Sequence, residues 1–179
     1  TLTFPASYKA ETLSFGLTPF VSCPAFEGYV IEDGASIVRT EDGTLLAGGG
    51  KVLVSLPQDF KGTSYTVPDG VEAISDYLFY KKTTITSVTL PASLKKIGTA
   101  AFQGCTKLTS ITLPDGFTTL GEHAFDGCSA LKTVAFGQSL TSVPAYAFSN
   151  CSALTAVDLP ATVETVGDYA FRGCSKATA

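Results

Sequence analysis

From residue 64 onward, apolar side chains return in the same order every 23 residues. Phe79, Phe102, Phe125, Phe148 and Phe171 make one such column, and Cys105, Cys128, Cys151 and Cys174 make another. Val71, Leu94, Phe117, Leu140 and Val163 keep the same step, as do Ile74, Ile97, Leu120, Val143 and Val166. Each unit holds one alternating stretch, for example Leu108-Thr-Ser-Ile111-Thr-Leu113, closed by Pro114. Alternation rich in Thr and β-branched residues predicts a strand, and the proline ends its pairing. The chain then turns back through segments such as Gly98 to Cys105. Gly104, Gly127, Asn150 and Gly173 share one position there. A column confined to Gly and Asn predicts a positive φ at the end of a short helical turn.

One such unit cannot bury its apolar face alone, so neighbouring units must stack. Stacking pairs their strands in parallel at about 4.8 Å. The expected fold is a solenoid of 23-residue coils with a parallel β-sheet on one face and short helical turns returning the chain. Residues 63–179 form its regular array, with no capping segment after Ala177, which stands where Leu belongs. Residues 1–31 read as an atypical first repeat, because Phe20-Val-Ser-Cys23-Pro-Ala-Phe26 matches Phe102 to Leu108. About four extra residues lie between Phe4-Pro5 and Cys23. Residues 32–62 break the period. Asp33-Gly34, Asp42-Gly43 and Gly48-Gly49-Gly50 separate short apolar runs, which predicts a small antiparallel meander.

Charge narrows the function classes. A net charge of −4 and a pI near 4.9 argue against a nucleic-acid surface, which needs clustered Lys and Arg. No apolar run approaches the roughly 18 residues of a membrane span, and no signal peptide is present. The chain starts at Thr1 and lacks Met, so it is expected to be a processed or trimmed piece.

Aligning the coils also tests each candidate for chemistry. Cys23 joins the cysteine column, which Lys82 alone vacates. A straight column cannot surround a metal, so buried thiols are the expected state, with a stacked disulfide as the alternative. His123, the only histidine, shares its position with Tyr77, Ala100, Tyr146 and Tyr169, and Glu122 beside it aligns with Asp76 and Asp168. No nucleophile or second carboxylate is placed to complete a Glu-His relay. Gly48-Gly-Gly-Lys51 fails the phosphate-loop pattern at Leu45 and Val52. The Asn150-Cys-Ser152 sequon falls in the Gly column, where backbone conformation explains the Asn. No catalytic, metal-binding or cofactor-binding residue is therefore assigned.

The pattern Leu-x-x-Ile-x-Leu-Pro-x-x-Leu-x-x-Ile-Gly-x-x-Ala-Phe-x-Gly-Cys resembles the BspA-like (Treponema pallidum-type) leucine-rich repeats, over roughly residues 64–176. Lys82 in the Cys column and Pro144 in the Gly98 column depart from it. The resemblance implies a right-handed solenoid on a secreted or cell-surface protein that works in adhesion and protein binding, without catalysis. It carries over no binding residues. From the residues themselves, the column Tyr77, His123, Tyr146 and Tyr169, with Asp76, Glu122 and Asp168 beside it, is the candidate contact strip for a partner. That partner is expected to be another protein, of a host or a cell surface, or else a glycan. The strand's outward rows, Ser64, Ser87, Ser110, Thr133, Ala156 and Thr66, Thr89, Thr112, Ala135, Asp158, are small, largely hydroxylated and nearly uncharged. They read mainly as ordinary exposed strand, with a weak protein or glycan contact as the alternative. The competing function is a structural spacer or display stalk within a longer surface protein.

Overall fold

The computed structural model describes residues 2–4, 29–31, 38–57 and 60–177. The repeat columns become the inside of a β-solenoid. In the regular coils the strand alternation resolves as exposed-buried-exposed, as in Ser64–Thr66 (β6), Ser87–Thr89 (β8) and Ser110–Thr112 (β10). Parallel pairing steps by one coil: Ser64 lies opposite Ser87, and Ser110 opposite Thr133 of β12 (Thr133–Ala135). A register set by 23-residue spacing puts every inward side chain over its own copy.

A second column of parallel pairs runs beside the first, on the Ile74, Ile97, Leu120, Val143, Val166 column that the periodicity marked as apolar but not as strand. It consists of the two-residue strands Ala73–Ile74 (β7), Lys96–Ile97 (β9) and Thr119–Leu120 (β11), followed by Ser142–Val143 (β13) paired with Thr165–Val166 (β14). The meander is antiparallel, with Val38–Arg39 (β3) on Leu45–Ala47 (β4) and β4 on Val52–Ser55 (β5). Its last strand pairs in parallel with β7, so the meander continues this second sheet past the first regular coil. Tyr65 locks the joint: its hydroxyl shares a buried 2.9 Å hydrogen bond with Thr44, and its ring meets Phe60 and Phe79 edge-on. Leu2–Phe4 (β1) pairs in parallel with Tyr29–Ile31 (β2), a step of 27 residues where regular coils step by 23. The segments around Cys23 and Asp33-Gly34 lie outside the described residues.

The expected helical turns are corrected. Among the described residues the return segments are chains of hydrogen-bonded turns and contain no helix. The reason lies in the backbone. Gly104, Gly127, Asn150 and Gly173 have φ between 58° and 75°, as the Gly/Asn column predicts, but a second left-handed position precedes each by four residues. Tyr77, Ala100, His123, Tyr146 and Tyr169 all have φ between 51° and 58°. Three residues between two left-handed ones cannot propagate a helix, and only i to i+3 bonds such as Gln103 N to Ala100 O form.

The interior is a pile of rings. Phe79, Phe102, Phe125, Phe148 and Phe171 stack at centroid distances of 4.7, 5.1, 5.2 and 5.4 Å and lie within 8° of parallel. The cysteine column runs beside them. Each thiol donates to the carbonyl of a Phe 26 residues earlier, as Cys105 Sγ does to Phe79 O at 3.1 Å and Cys128 Sγ to Phe102 O at 3.2 Å. Cys105, Cys128, Cys151 and Cys174 are free thiols. Burial pushes the Cys105 thiol up to about 12 and raises the other three as well. A thiol so disfavoured as thiolate packs as a small hydrophobe and is a poor nucleophile or metal ligand.

Candidate functional site

The strip is assembled by the turn segments. At its position the backbone N–H points to the next coil: His123 N donates to Ala145 O and Tyr146 N to Asp168 O, at 3.2 and 3.0 Å. Phe125 N and Gly127 N do the same two and four residues on, reaching Ala147 O and Ser149 O. Holding a Tyr or His in the left-handed region costs about 1–2 kcal/mol. The ladder of coil-to-coil bonds offsets that cost, and the side chain is aimed outward from a rigid base.

The turn segments carry two parallel columns of residues, three positions apart. The first is Tyr77, Ala100, His123, Tyr146, Tyr169; the second is Tyr80, Gln103, Asp126, Ser149, Arg172. Tyr146 is sandwiched, with the His123 ring 4.7 Å to one side at 6° and the Tyr169 ring at 5.2 Å and 28°. Tyr169 is 56% exposed, and the Arg172 guanidinium lies 5.4 Å from its centroid. Tyr77 is not part of this pile. Ala100, only 2% exposed, interrupts the column, and Tyr77 instead packs edge-on against Tyr80 at 5.8 Å. The seven expected residues therefore divide: His123, Tyr146 and Tyr169 come together, while Tyr77 stands apart.

The carboxylates divide too. Asp76 is turned inward, accepting Thr99 N at 2.7 Å across the coil gap, so its role is to fasten coils. Glu122 and Asp168 are exposed beside the pile. The acid that organises the strip is Asp126, which the sequence reading did not select. It accepts from Gln103 Nε2 at 2.8 Å, from Asn150 Nδ2 at 3.1 Å and from His123 Nδ1 at 3.3 Å, tying three coils together. Burial works against its charge, but the bonds from Gln103, Asn150 and His123 together outweigh it and hold the carboxyl below its ordinary range. Asn150 thus does more than adopt φ 58°: its amide is engaged with Asp126 and with Ser149. Arg172 was likewise missed. Neither residue carries a motif, and each is recognisable only once the second column is lined up against the first.

Chemically the strip combines stacked rings, an imidazole bound to a carboxylate and a guanidinium. The stacked rings cover one another's faces, so edges and phenolic hydroxyls point to solvent. The single imidazole is shared with a carboxylate and has no nucleophile within its bonded set. Among the described residues no group of three His, Cys, Asp or Glu side chains is placed to hold a metal ion. No helix among them is long and apolar enough to cross a membrane.

These features agree with what the chain is similar to. Residues 58–178 match the BspA type leucine rich repeat region in six copies, and the chain belongs to that family. A leucine-rich repeat protein from Eubacterium ventriosum is 28% identical with a TM-score of 0.75, over 86% of this chain and 42% of that one. The T. pallidum leucine rich repeat protein is 35% identical with a TM-score of 0.60, over 79% of this chain and 65% of its own. A leucine rich cell surface protein from Faecalibacterium prausnitzii, 22% identical over 80% of this chain and 51% of that one, shares the fold at a TM-score of 0.55. The chain spans less than two thirds of each of these proteins. Among curated proteins nothing matches the chain.

Proposed function

We propose that this chain is a non-catalytic protein-interaction module of a secreted or surface-displayed protein, and that the His123–Tyr146–Tyr169 pile is its contact strip. One observation carries the reading: two tyrosines, a histidine and Arg172 project together from a backbone held rigid by coil-to-coil bonds. Tyr and Arg are the residue types that dominate binding energy at protein interfaces, and a side chain already ordered loses little entropy on binding. Because Tyr146 has rings on both faces, the pile offers edges and hydroxyls, which suits a protein surface with aromatic faces and carbonyl groups more than a sugar seeking a flat ring. Glu122 and Asp168 add negative charge at the rim. The placement outside the cell rests on the family and on one structural neighbour being a cell surface protein.

The test is surface plasmon resonance of the chain against a panel of purified secreted and cell-surface proteins, repeated with Tyr146→Ala/Tyr169→Ala. Loss of a hot-spot aromatic costs about 2 kcal/mol or more, so the double variant should weaken a genuine partner at least about thirtyfold. Unchanged affinity for every binder would remove the strip from consideration. Silence across the panel favours a spacer that displays other domains.

A further inference from the structure

Lysine is not spread evenly over this solenoid. Lys61, Lys81, Lys82, Lys107, Lys132 and Lys176 all fall at the corner where each return segment leads back into the first sheet, within 61–63, 81–86, 104–109, 127–132 and 173–177. Those stretches, and 150–155 between them, contain no Asp or Glu. Asp59, just before the first of them, lies outside the described residues. Lys82, standing in the Cys column, is half-buried, and the other five are exposed. None of the six has a carboxylate partner among the described residues, whereas Lys51 and Lys95 both bind Glu72, at 2.9 and 3.0 Å. Lys61 through Lys132 occupy four successive coils, and Lys176 stands two coils further on. The corner is continuous. Thr86 N donates to Thr63 O, Thr109 N to Thr86 O, Lys132 N to Thr109 O and Thr155 N to Lys132 O, at 2.7 to 3.2 Å. It therefore stays joined even where the first sheet is interrupted between β8 and β10. The hydroxyls of Thr86, Thr109 and Thr155 bond to the same carbonyls, so lacing coils together uses them up. A Cβ on Gly104 would lie 3.2 Å from Lys81 Cγ, so the bare glycine makes room for that lysine stem across the coil gap.

We infer that this lysine ridge is a binding site for a linear anionic polysaccharide, one bearing sulfate or carboxylate groups, laid along the solenoid axis. The Phe stack measures the rise of a coil as 4.7 to 5.4 Å. Lysines on neighbouring coils thus stand within a Debye length of about 8 Å, and their potentials add. The net charge of −4 conceals this, because the acids lie on other columns and Asp126, one column over, is taken up by Gln103, Asn150 and His123. A chain of anions laid across the ridge meets several lysines at once and releases the small ions they hold. Other polyanions fit less well. Single-stranded nucleic acid is held by aromatic platforms and Arg, and the corner stretches contain neither. An extended peptide sets its same-face carboxylates about 6.8 Å apart, out of step with the coils. It also finds no free ladder here, since the corner backbone is already bonded coil to coil. A sugar chain advances by roughly one ring per residue, close to the rise of one coil. The ridge shares no residue with the aromatic strip, so the two readings stand or fall independently.

The experiment is isothermal titration calorimetry at low salt with two probes, a sulfate-rich heparin oligosaccharide and an oligogalacturonate that carries carboxylates only. Saturable binding to at least one is expected, falling steeply as salt is raised, and the tighter probe identifies the anionic group. Lys81→Gln/Lys107→Gln alters two exposed side chains and no coil-to-coil bond, so the fold is retained. It should weaken binding about tenfold. Lys95→Gln/Lys96→Gln removes the same charge from the second sheet and should leave the affinity unchanged. The inference is overturned if neither probe binds saturably, or if the two double variants lose affinity equally, which would mean that net charge alone is read. It is also overturned if binding is lost in Tyr146→Ala/Tyr169→Ala but kept in Lys81→Gln/Lys107→Gln. An oligoglutamate or oligothymidylate of equal charge that binds as tightly as the better sugar would overturn it too.

Discussion

Two piles of aromatic rings run along this solenoid, one inside and one outside, and they are built on different terms. The inner pile places a Phe in each of five successive coils, at 4.7 to 5.4 Å, with Phe79, Phe102, Phe125 and Phe148 fully buried. The outer one is a Tyr, an Ala, a His and two Tyr at the same repeat position, with Ala100 breaking it and exposure reaching 56% at Tyr169. Both inherit their spacing from the same backbone ladder. The inner pile is held uniform because any gap leaves a cavity beneath two neighbouring coils. Outside, identity is free to vary.

Breaking the inner pile should have the largest effect. Phe125→Ala, at a fully buried position between Phe102 and Phe148, is expected to cost about 3–5 kcal/mol, read as a lowered urea midpoint. Next comes the approach of coils that sets the spacing of both piles. A Cβ at Gly121 would lie 2.4 Å from the Gly98 carbonyl carbon and the Thr99 nitrogen, so Gly121→Ala must push two backbones apart. A loss of about 1–3 kcal/mol is expected, read the same way.

On the outer side, Asp126 ties three coils together beneath the strip. Its folded value lies below the ordinary 3.8, so its contribution to stability is complete above that value and is lost as pH falls through the lower folded value. Urea midpoints measured from neutral pH down into this acid window should fall for the native chain. Asp126→Asn should be less stable at neutral pH by about 1 kcal/mol and should show a shallower acid slope. The smallest effect belongs to the thiols. With Cys105 pushed up to about 12 and its neighbours also raised by burial, these four thiols of the native protein should react with a thiol reagent very slowly at mild alkaline pH. Half-buried Cys174 should react before Cys105, Cys128 and Cys151, and all four should react together in urea.

The columns of Phe, Cys and Leu made the solenoid legible because an inward position that repeats must be apolar in every coil. Asp42-Gly43 and Gly48-Gly49-Gly50 made the meander legible, as turn residues with positive φ at all four glycines. The second left-handed position escaped for a physical reason. Its strain is relieved by hydrogen bonds to the next coil, so Tyr, Ala and His are tolerated where an isolated turn would call for Gly. The helical expectation failed on that same point. Asp126 and Arg172 were hidden because the second column mixes an aromatic, an amide, an acid, a hydroxyl and a base, and its order lies in cross-coil bonds rather than in residue type. Likewise, nothing in the composition separates the hydroxyls that lace coils together from those left facing outward.

If the inner pile holds the fold and the outer pile is held out for recognition, truncating the two should have unequal effects on stability. Urea unfolding of Tyr146→Ala/Tyr169→Ala alongside Phe125→Ala tests it most directly, without knowledge of any partner. Losing two exposed stacking contacts should cost less than about 2 kcal/mol, clearly below the loss in Phe125→Ala. A double variant as destabilised as Phe125→Ala would mean that the strip is packing, and the proposed recognition surface would lose its basis.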